Sequence, residues 1–187
     1  MKTNKIVLGL IGEMAAGKTT LTNYLKEKYS AETAKFSNVL RDILDRLYIE
    51  KSRGNMQTLS TVLRQNFGED TLSKILLEDI KKSKANIIIV EGIRRPSDTV
   101  FLEKEFKNNF YTINIDVNQK TRYERIIKRN ENIDDQSKTW DEFQKEGENE
   151  SEQKIKEIGE KANFNINNKG NLENLYNEME KILEKIK

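Results

Sequence analysis

The chain has 187 residues, 35% of them hydrophobic and 34% charged, with a net charge of +2 and neither cysteine nor histidine. That length suits one domain with a real core, and the missing residue types exclude a disulfide framework, a Cys/His zinc site, a thiol nucleophile and any triad built on histidine. A metal must then be held by oxygen, which suits Mg²⁺, and a charge this small does not argue for unspecific binding of nucleic acid.

No run approaches the roughly 20 apolar residues of a membrane span, and the start Met1-Lys2-Thr3-Asn4-Lys5 leads towards a strand rather than a signal peptide. A cytoplasmic protein with no membrane or nucleic-acid partner is expected. The apolar run Ile6-Val7-Leu8-Gly9-Leu10-Ile11 predicts a first strand, and Leu21 and Leu25 predict a helix over 17–28. Between them lies Gly12-Glu13-Met14-Ala15-Ala16-Gly17-Lys18-Thr19-Thr20, which fits G-x-x-x-x-G-K-S/T with a spare hydroxyl behind it. Strand, glycine loop and helix in that order make a phosphate cradle: the glycines let backbone N–H groups turn inward, and the helix aims its positive end at the same anion. Lys18 is placed to reach the β- and γ-phosphates of ATP, and Thr19 to put its hydroxyl on Mg²⁺.

A short second strand is expected over 31–36, followed by a helix capped by Ser37 and striped by Val39, Leu40, Ile43, Leu44 and Leu47. After a break at 51–55, helices over 56–67 and 70–84 follow, the second capped by Asp70. Ile87-Ile88-Ile89-Val90, closed by Glu91-Gly92, reads as a strand buried on both faces of a parallel sheet. Its carboxyl end is where open α/β sheets put their ligands. Pro96, the one proline, starts a helix over 97–107, since proline fits the first turn. A fourth strand over 110–117 and a helix over 120–129 come next. The polar stretch 130–152 reads as a mobile, mostly helical cover in which Trp140 and Phe143 anchor one face, and the lid-like segment is placed at about 129–152. A fifth strand over 164–166, a turn at Asn167-Asn168-Lys169-Gly170 and a final helix over 171–187 complete the chain. Alternating strands and helices imply parallel pairing, so the fold class is α/β, a three-layer sandwich around a five-stranded parallel sheet.

Phosphoryl transfer needs the phosphates aligned and their charge compensated more than it needs covalent help. Arginine suits that task, because its planar fork grips phosphate oxygens two at a time. Arg41, Arg64, Arg94 and Arg95 precede or follow the sheet's ligand edge on one side, and Arg122, Arg125 and Arg129 share a helix face on the other. Asn168-Lys169-Gly170-Asn171 approaches the guanine-reading N-K-x-D pattern but lacks its aspartate, and reads as a turn whose backbone lies near the donor base.

The loop 12–19, Asn38-Val39-Leu40-Arg41, Glu91-Gly92-Ile93-Arg94 and Arg125-Ile126-Ile127-Lys128-Arg129 resemble the P-loop nucleotide kinases of the adenylate kinase and dephospho-CoA kinase group. More closely, Met56-Gln57-Thr58-Leu59-Ser60, Leu63-Arg64, Phe67-Gly68-Glu69-Asp70, Thr139-Trp140-Asp141-Glu142-Phe143 and the segment 167–175 resemble an adenylate-kinase-related, dephospho-CoA-kinase-like family of archaea and bacteria. The resemblance implies the P-loop NTP hydrolase fold in its nucleoside monophosphate kinase-like form, with an acceptor-binding segment at about 37–70. It implies ATP and Mg²⁺ as cofactors and a small-molecule nucleotide as acceptor, handled by a monomer or homodimer. By the same resemblance Lys18, Arg94, Arg125 and Arg129 are catalytic, and the loop Gly12 to Thr20 with Arg125, Asn168 and Gly170 holds the donor. Ser37, Arg41, Arg64, Gly92 and Arg94 hold the acceptor. Thr19, and Glu91 through water, serve the metal. The departures are Glu91 for the usual aspartate and Ser37-Asn38 for Gly-Asp before the acceptor arginine. Transfer to a monophosphate is the leading expectation. A hydroxyl acceptor such as dephospho-CoA or a nucleoside, with Glu91 or Glu13 as base, is the second, and a switch or sensor NTPase the third.

Overall fold

The computed structural model describes residues 5–129, 138–148 and 150–186, the side chains at 129, 146 and 150–153 aside. Five strands form the sheet: β1 (Ile6–Ile11), β2 (Glu32–Lys35), β3 (Ile87–Glu91), β4 (Phe110–Asp116) and β5 (Phe164–Asn167). Their order is β2-β3-β1-β4-β5, and every pairing is parallel. The helices are α1 (Lys18–Tyr29), α2 (Phe36–Arg46), α3 (Arg53–Phe67), α4 (Thr71–Lys82), α5 (Val100–Phe106), α6 (Gln119–Arg129), α7 (Trp140–Gly147), α8 (Glu150–Glu160) and α9 (Leu172–Ile186).

Strand side chains alternate between two faces, and both faces are covered. Val7, Ile88 and Val90 point into one core with Leu40 of α2, Leu72, Leu76 and Ile80 of α4, Leu102 of α5 and Ile155 of α8. Leu8, Leu10, Ile87, Ile89, Ile113 and Ile166 point into the other with Leu21 and Leu25 of α1 and Leu175, Met179 and Leu183 of α9. The apolar stripe of the last helix therefore packs on the sheet. Because β1 lies between β3 and β4, the chain leaves it in one direction for β2 and β3 and in the other for β4 and β5. The crevice at the carboxyl end of β1 is a topological switch point, where such sheets bind ligands.

Several boundaries differ from expectation. Ser37 does not cap α2. The strand β2 passes directly into the helix, which starts at Phe36 with Lys35 in the capping position and no side-chain cap. Phe36 is drawn into the core there, 5% exposed, and the helix starts two residues earlier than a Ser37 cap would have it. α3 starts at Arg53, not Met56, because Ser52 caps it by accepting from the Asn55 amide at 3.2 Å. Asp70 occupies the capping position of α4 without a capping bond, and its carboxylate pairs with Lys74 at 3.1 Å instead. Pro96 opens a single 3-10 turn, Pro96–Asp98, before α5. In the polar stretch 130–152, residues 130–137 and 149 lie outside the described residues. α7 stands where Trp140 and Phe143 were expected to anchor a helix, and α8 runs on to Glu160.

Candidate phosphate-binding site

The loop from β1 to α1 is a backbone cradle held from three sides. Gly12 has φ +149° and Gly17 φ +110°, a region that favours glycine. A Cβ on Gly12 would stand 2.7 Å from the Ile115 carbonyl, and one on Gly17 2.4 Å from Asn168 Nδ2, so neither position has room for a side chain. Lys18 folds its ammonium onto its own loop, donating to the Gly12 carbonyl at 2.5 Å and the Glu13 carbonyl at 2.8 Å. α1 carries no acidic residue in its first turn, which leaves its positive end uncompensated. Thr19 and Thr20 stand in that turn, Thr19 exposed.

From the far side of the sheet β5 and α6 grip the same loop. Asn168 is 5% exposed, and its Nδ2 donates to the Ala16 carbonyl at 2.7 Å while its amide donates to Asp116 of β4 at 2.7 Å. Its side chain braces the cradle and is not turned outward to read a base. Gly170 lies exposed in the turn two residues later. Arg125 donates through Nη2 to the Asn168 carbonyl at 3.0 Å, and through Nη1 makes longer contacts to the carbonyls of Ala15 at 3.4 Å and Ala16 at 3.5 Å. Burial pulls its pKa below the ordinary arginine value, the cost of seating a cation among carbonyls. Arg129 ends α6, and its side chain lies outside those described. Arg122, one turn before Arg125, is buried and pairs with the loop's own Glu13 at 2.9 Å.

On the other side, β3 delivers Glu91, Gly92 and Arg94 to the same edge. Glu91 is spoken for on both oxygens: Thr22 of α1 donates to Oε1 at 2.6 Å and Lys35 of β2 sits 2.7 Å from Oε2. Lys35 pairs in register with Glu91 across the sheet, so its place follows from strand pairing. Gly92 and Arg94 are exposed. The Arg94 and Arg95 amides both donate to Asp98 Oδ2, at 2.8 and 3.0 Å, which fixes the turn that carries them. Ser37 and Arg41 come together on α2, with Arg41 Nη1 donating to Ser37 Oγ at 2.8 Å.

Arg64 is the correction among the expected acceptor residues. Its side chain is 6% exposed, and its guanidinium is used inside the protein: Nη2 meets Asp98 Oδ1 at 2.6 Å, Nη1 meets Ser97 Oγ at 3.3 Å and the Glu69 carbonyl, and Nε makes a longer contact with Ser60. Buried and turned onto these partners, the guanidinium points into the protein. Its role is to join α3 to the turn after β3. Sequence reasoning also passed over Lys35, Thr22 and Asp98. The signal for Asp98 was its place three residues after Arg95, where a carboxylate can close back on the preceding amides.

Among the described residues no group of three or more acidic side chains could hold a metal by itself. A Mg²⁺ would here share its ligands between the Thr19 hydroxyl and the oxygens of a nucleotide, a donor set that suits it. Among the described residues, too, no helix is long and apolar enough to cross a membrane.

A family model described as the AAA domain matches residues 11–144. No curated protein matches the chain in sequence. Among solved structures, shikimate kinase from Bacteroides thetaiotaomicron is similar with a TM-score of 0.61 at 17% identity, over 96% of this chain and 98% of that one. TT1252 from Thermus thermophilus gives 0.59 at 15% identity, over 98% of each chain. Shikimate kinase from Aquifex aeolicus gives 0.53 at 17% identity, over 96% of this chain and 97% of that one. At such identities the likeness is one of fold: a five-stranded parallel sheet with helices on both sides, arranged as in the P-loop kinases.

Proposed function

We propose that this chain, which belongs to the AAA domain family, is an ATP-dependent phosphotransferase that moves the γ-phosphoryl group to a small acceptor that is itself a phosphate, a nucleoside monophosphate above all. The observation that carries the reading is the cradle itself, with the Lys18 ammonium resting on two carbonyls of its own loop and Arg125 seated on two more. On binding ATP, Lys18 leaves those carbonyls for the β- and γ-phosphates. The acceptor oxygen attacks the γ-phosphorus, the bond to the bridging oxygen breaks, and ADP departs. Thr19 and, through water, Glu91 would hold Mg²⁺, which would supply charge neutralisation to the phosphates. Arg94 and Arg41 stand on the acceptor side of the sheet edge and Arg125 on the donor side.

A phosphate acceptor is already ionised, whereas a hydroxyl needs a base with a lone pair to receive its proton. Three acids near the cradle already have partners. Glu13 is paired with Arg122, Glu91 with Lys35 and Thr22, and Asp98 with Arg64 and two amides. Arg41 of α2 and Arg94 after β3 bring guanidinium groups to the acceptor edge, a chemistry that suits an anion. The resemblance to adenylate-kinase-related proteins supports the same acceptor class. The likeness in fold to shikimate kinases, enzymes of an acceptor carrying hydroxyls, supports a second reading in which a hydroxyl compound is phosphorylated and Glu91 gives up Lys35 to act as base. A guanine-reading switch has less support, because the Asn168 side chain is bound to the loop.

The test is transfer from γ-labelled ATP to a panel of nucleoside monophosphates, dephospho-CoA and shikimate. Labelled nucleoside diphosphate is expected. Label on a hydroxyl compound alone would move the protein to the second reading, and label recovered only as inorganic phosphate would remove the kinase reading.

A further inference from the structure

Glu13 is an anomaly in a cradle for polyphosphate. Its backbone carbonyl holds the resting Lys18, so its carboxylate belongs to a residue in contact with the anion's main counter-charge. An uncompensated carboxylate there would repel the ligand that the loop exists to bind. The structure supplies the compensation from the side away from the acceptor edge. Arg122 of α6, 6% exposed at its side chain, places Nη2 2.9 Å from Glu13 Oε1, and Lys156 of α8 approaches the same oxygen at 3.7 Å. The Phe143 ring of α7 covers the guanidinium at 5.4 Å, which keeps water from the pair and strengthens it. Arg122 Nε is buried with no hydrogen-bond partner among the described residues. A guanidinium held this incompletely contributes less to stability than a fully satisfied pair does, so its place is better explained by what it does to Glu13.

We propose that Arg122 is a positioning residue for nucleotide binding: it turns the Glu13 carboxylate away from the phosphate cradle and cancels its charge, so that the loop is free to accept a polyphosphate. This rests on reading the loop as the seat of a nucleotide's phosphates, and it is independent of which acceptor receives the phosphoryl group. The role differs from that of Arg125 on the same helix face, whose guanidinium lies on the loop carbonyls themselves.

Titration calorimetry of the 187-residue chain with MgATP separates charge cancellation from mere packing. Arg122→Gln should weaken binding roughly tenfold or more, the effect of one uncancelled charge near a polyanion. Arg122→Gln combined with Glu13→Gln should recover most of that loss, because no charge is then left to cancel. Glu13→Gln alone should tighten binding, since Arg122 then acts on the phosphates unopposed. Arg122→Lys, which keeps the cation, should bind within a few-fold of the wild type and serves if Arg122→Gln fails to fold. A double variant as weak as Arg122→Gln alone would overturn the proposal and leave Arg122 a packing residue. A wild type that binds no MgATP would remove both this inference and the kinase reading. MgATP binding without transfer to any acceptor would remove the kinase reading alone, with the variant series still decisive here.

Discussion

Residues of the same type do opposite things in this chain, and what separates them is what each one touches. Lys18 rests on carbonyls that a polyphosphate can replace, whereas Arg64 is closed inside a pair with Asp98, which is itself 1% exposed. Removing one partner of such a pair strands a buried charge, which costs about 3–5 kcal/mol. Asp98→Ala should therefore lower the unfolding free energy by roughly that amount in urea denaturation, while a loss under 1 kcal/mol would mean that water reaches the site freely. Lys18→Ala should abolish phosphoryl transfer in a protein that still folds, which a circular dichroism spectrum of the variant checks. Arg41→Ala should raise the acceptor KM and leave MgATP affinity near that of the wild type. Equal loss of donor affinity in both variants would contradict the division into donor and acceptor sides.

Among the elements, α7 shows how a polar segment is ordered by a few contacts. Thr139 and Glu142 form a reciprocal box at its start: the Thr139 amide and hydroxyl donate to Glu142 Oε2 at 2.8 and 2.9 Å, and the Glu142 amide donates to Thr139 Oγ1 at 3.3 Å. The helix then lays Trp140 and Phe143 against Tyr123 of α6, with ring centroids 5.2 and 5.6 Å away. The amide of Thr139, and then its hydroxyl, hold the Glu142 carboxyl below the ordinary value. A depressed carboxyl stabilises the folded form fully above its unfolded pKa, about 4.3 for Glu, and that contribution is lost as pH falls through the lower folded value. Acidification below about pH 4 should accordingly loosen α7. Trp140 is the chain's one tryptophan, so its emission reports this directly. A red shift in that window is expected in the wild type, with a smaller pH-dependent step in Glu142→Gln.

At the scale of the whole molecule, the parallel sheet places loops from distant parts of the sequence at one edge. The cradle is assembled by β1 and α1, braced by Asn168 after β5 and by Arg125 of α6, and faced by the turn after β3. Two layers of helices hold the strands in register, so a ligand bound at that edge stabilises the fold as a unit. MgATP at about 100 times its Kd should add about 2.7 kcal/mol of stability, seen as a rise in Tm that Lys18→Ala largely loses. An equal rise in Lys18→Ala would place nucleotide binding elsewhere.

The sequence by itself determined the strand, glycine loop and helix at the start, the doubly buried strand Ile87-Ile88-Ile89-Val90 and the apolar stripe of the last helix. Each of these is written in local periodicity and in residues within one turn of one another. It could not determine what the arginines do. Helical spacing put Arg122, Arg125 and Arg129 on one face, but Arg122 meets a carboxylate 109 residues away and Arg64 one 34 residues away. A charged side chain takes its role from the group that packing brings to it, and that depends on how the helices cross the sheet. For the same reason Ser37 read as a cap until the core claimed Phe36, and Lys35 became visible only once β2 and β3 were paired in register.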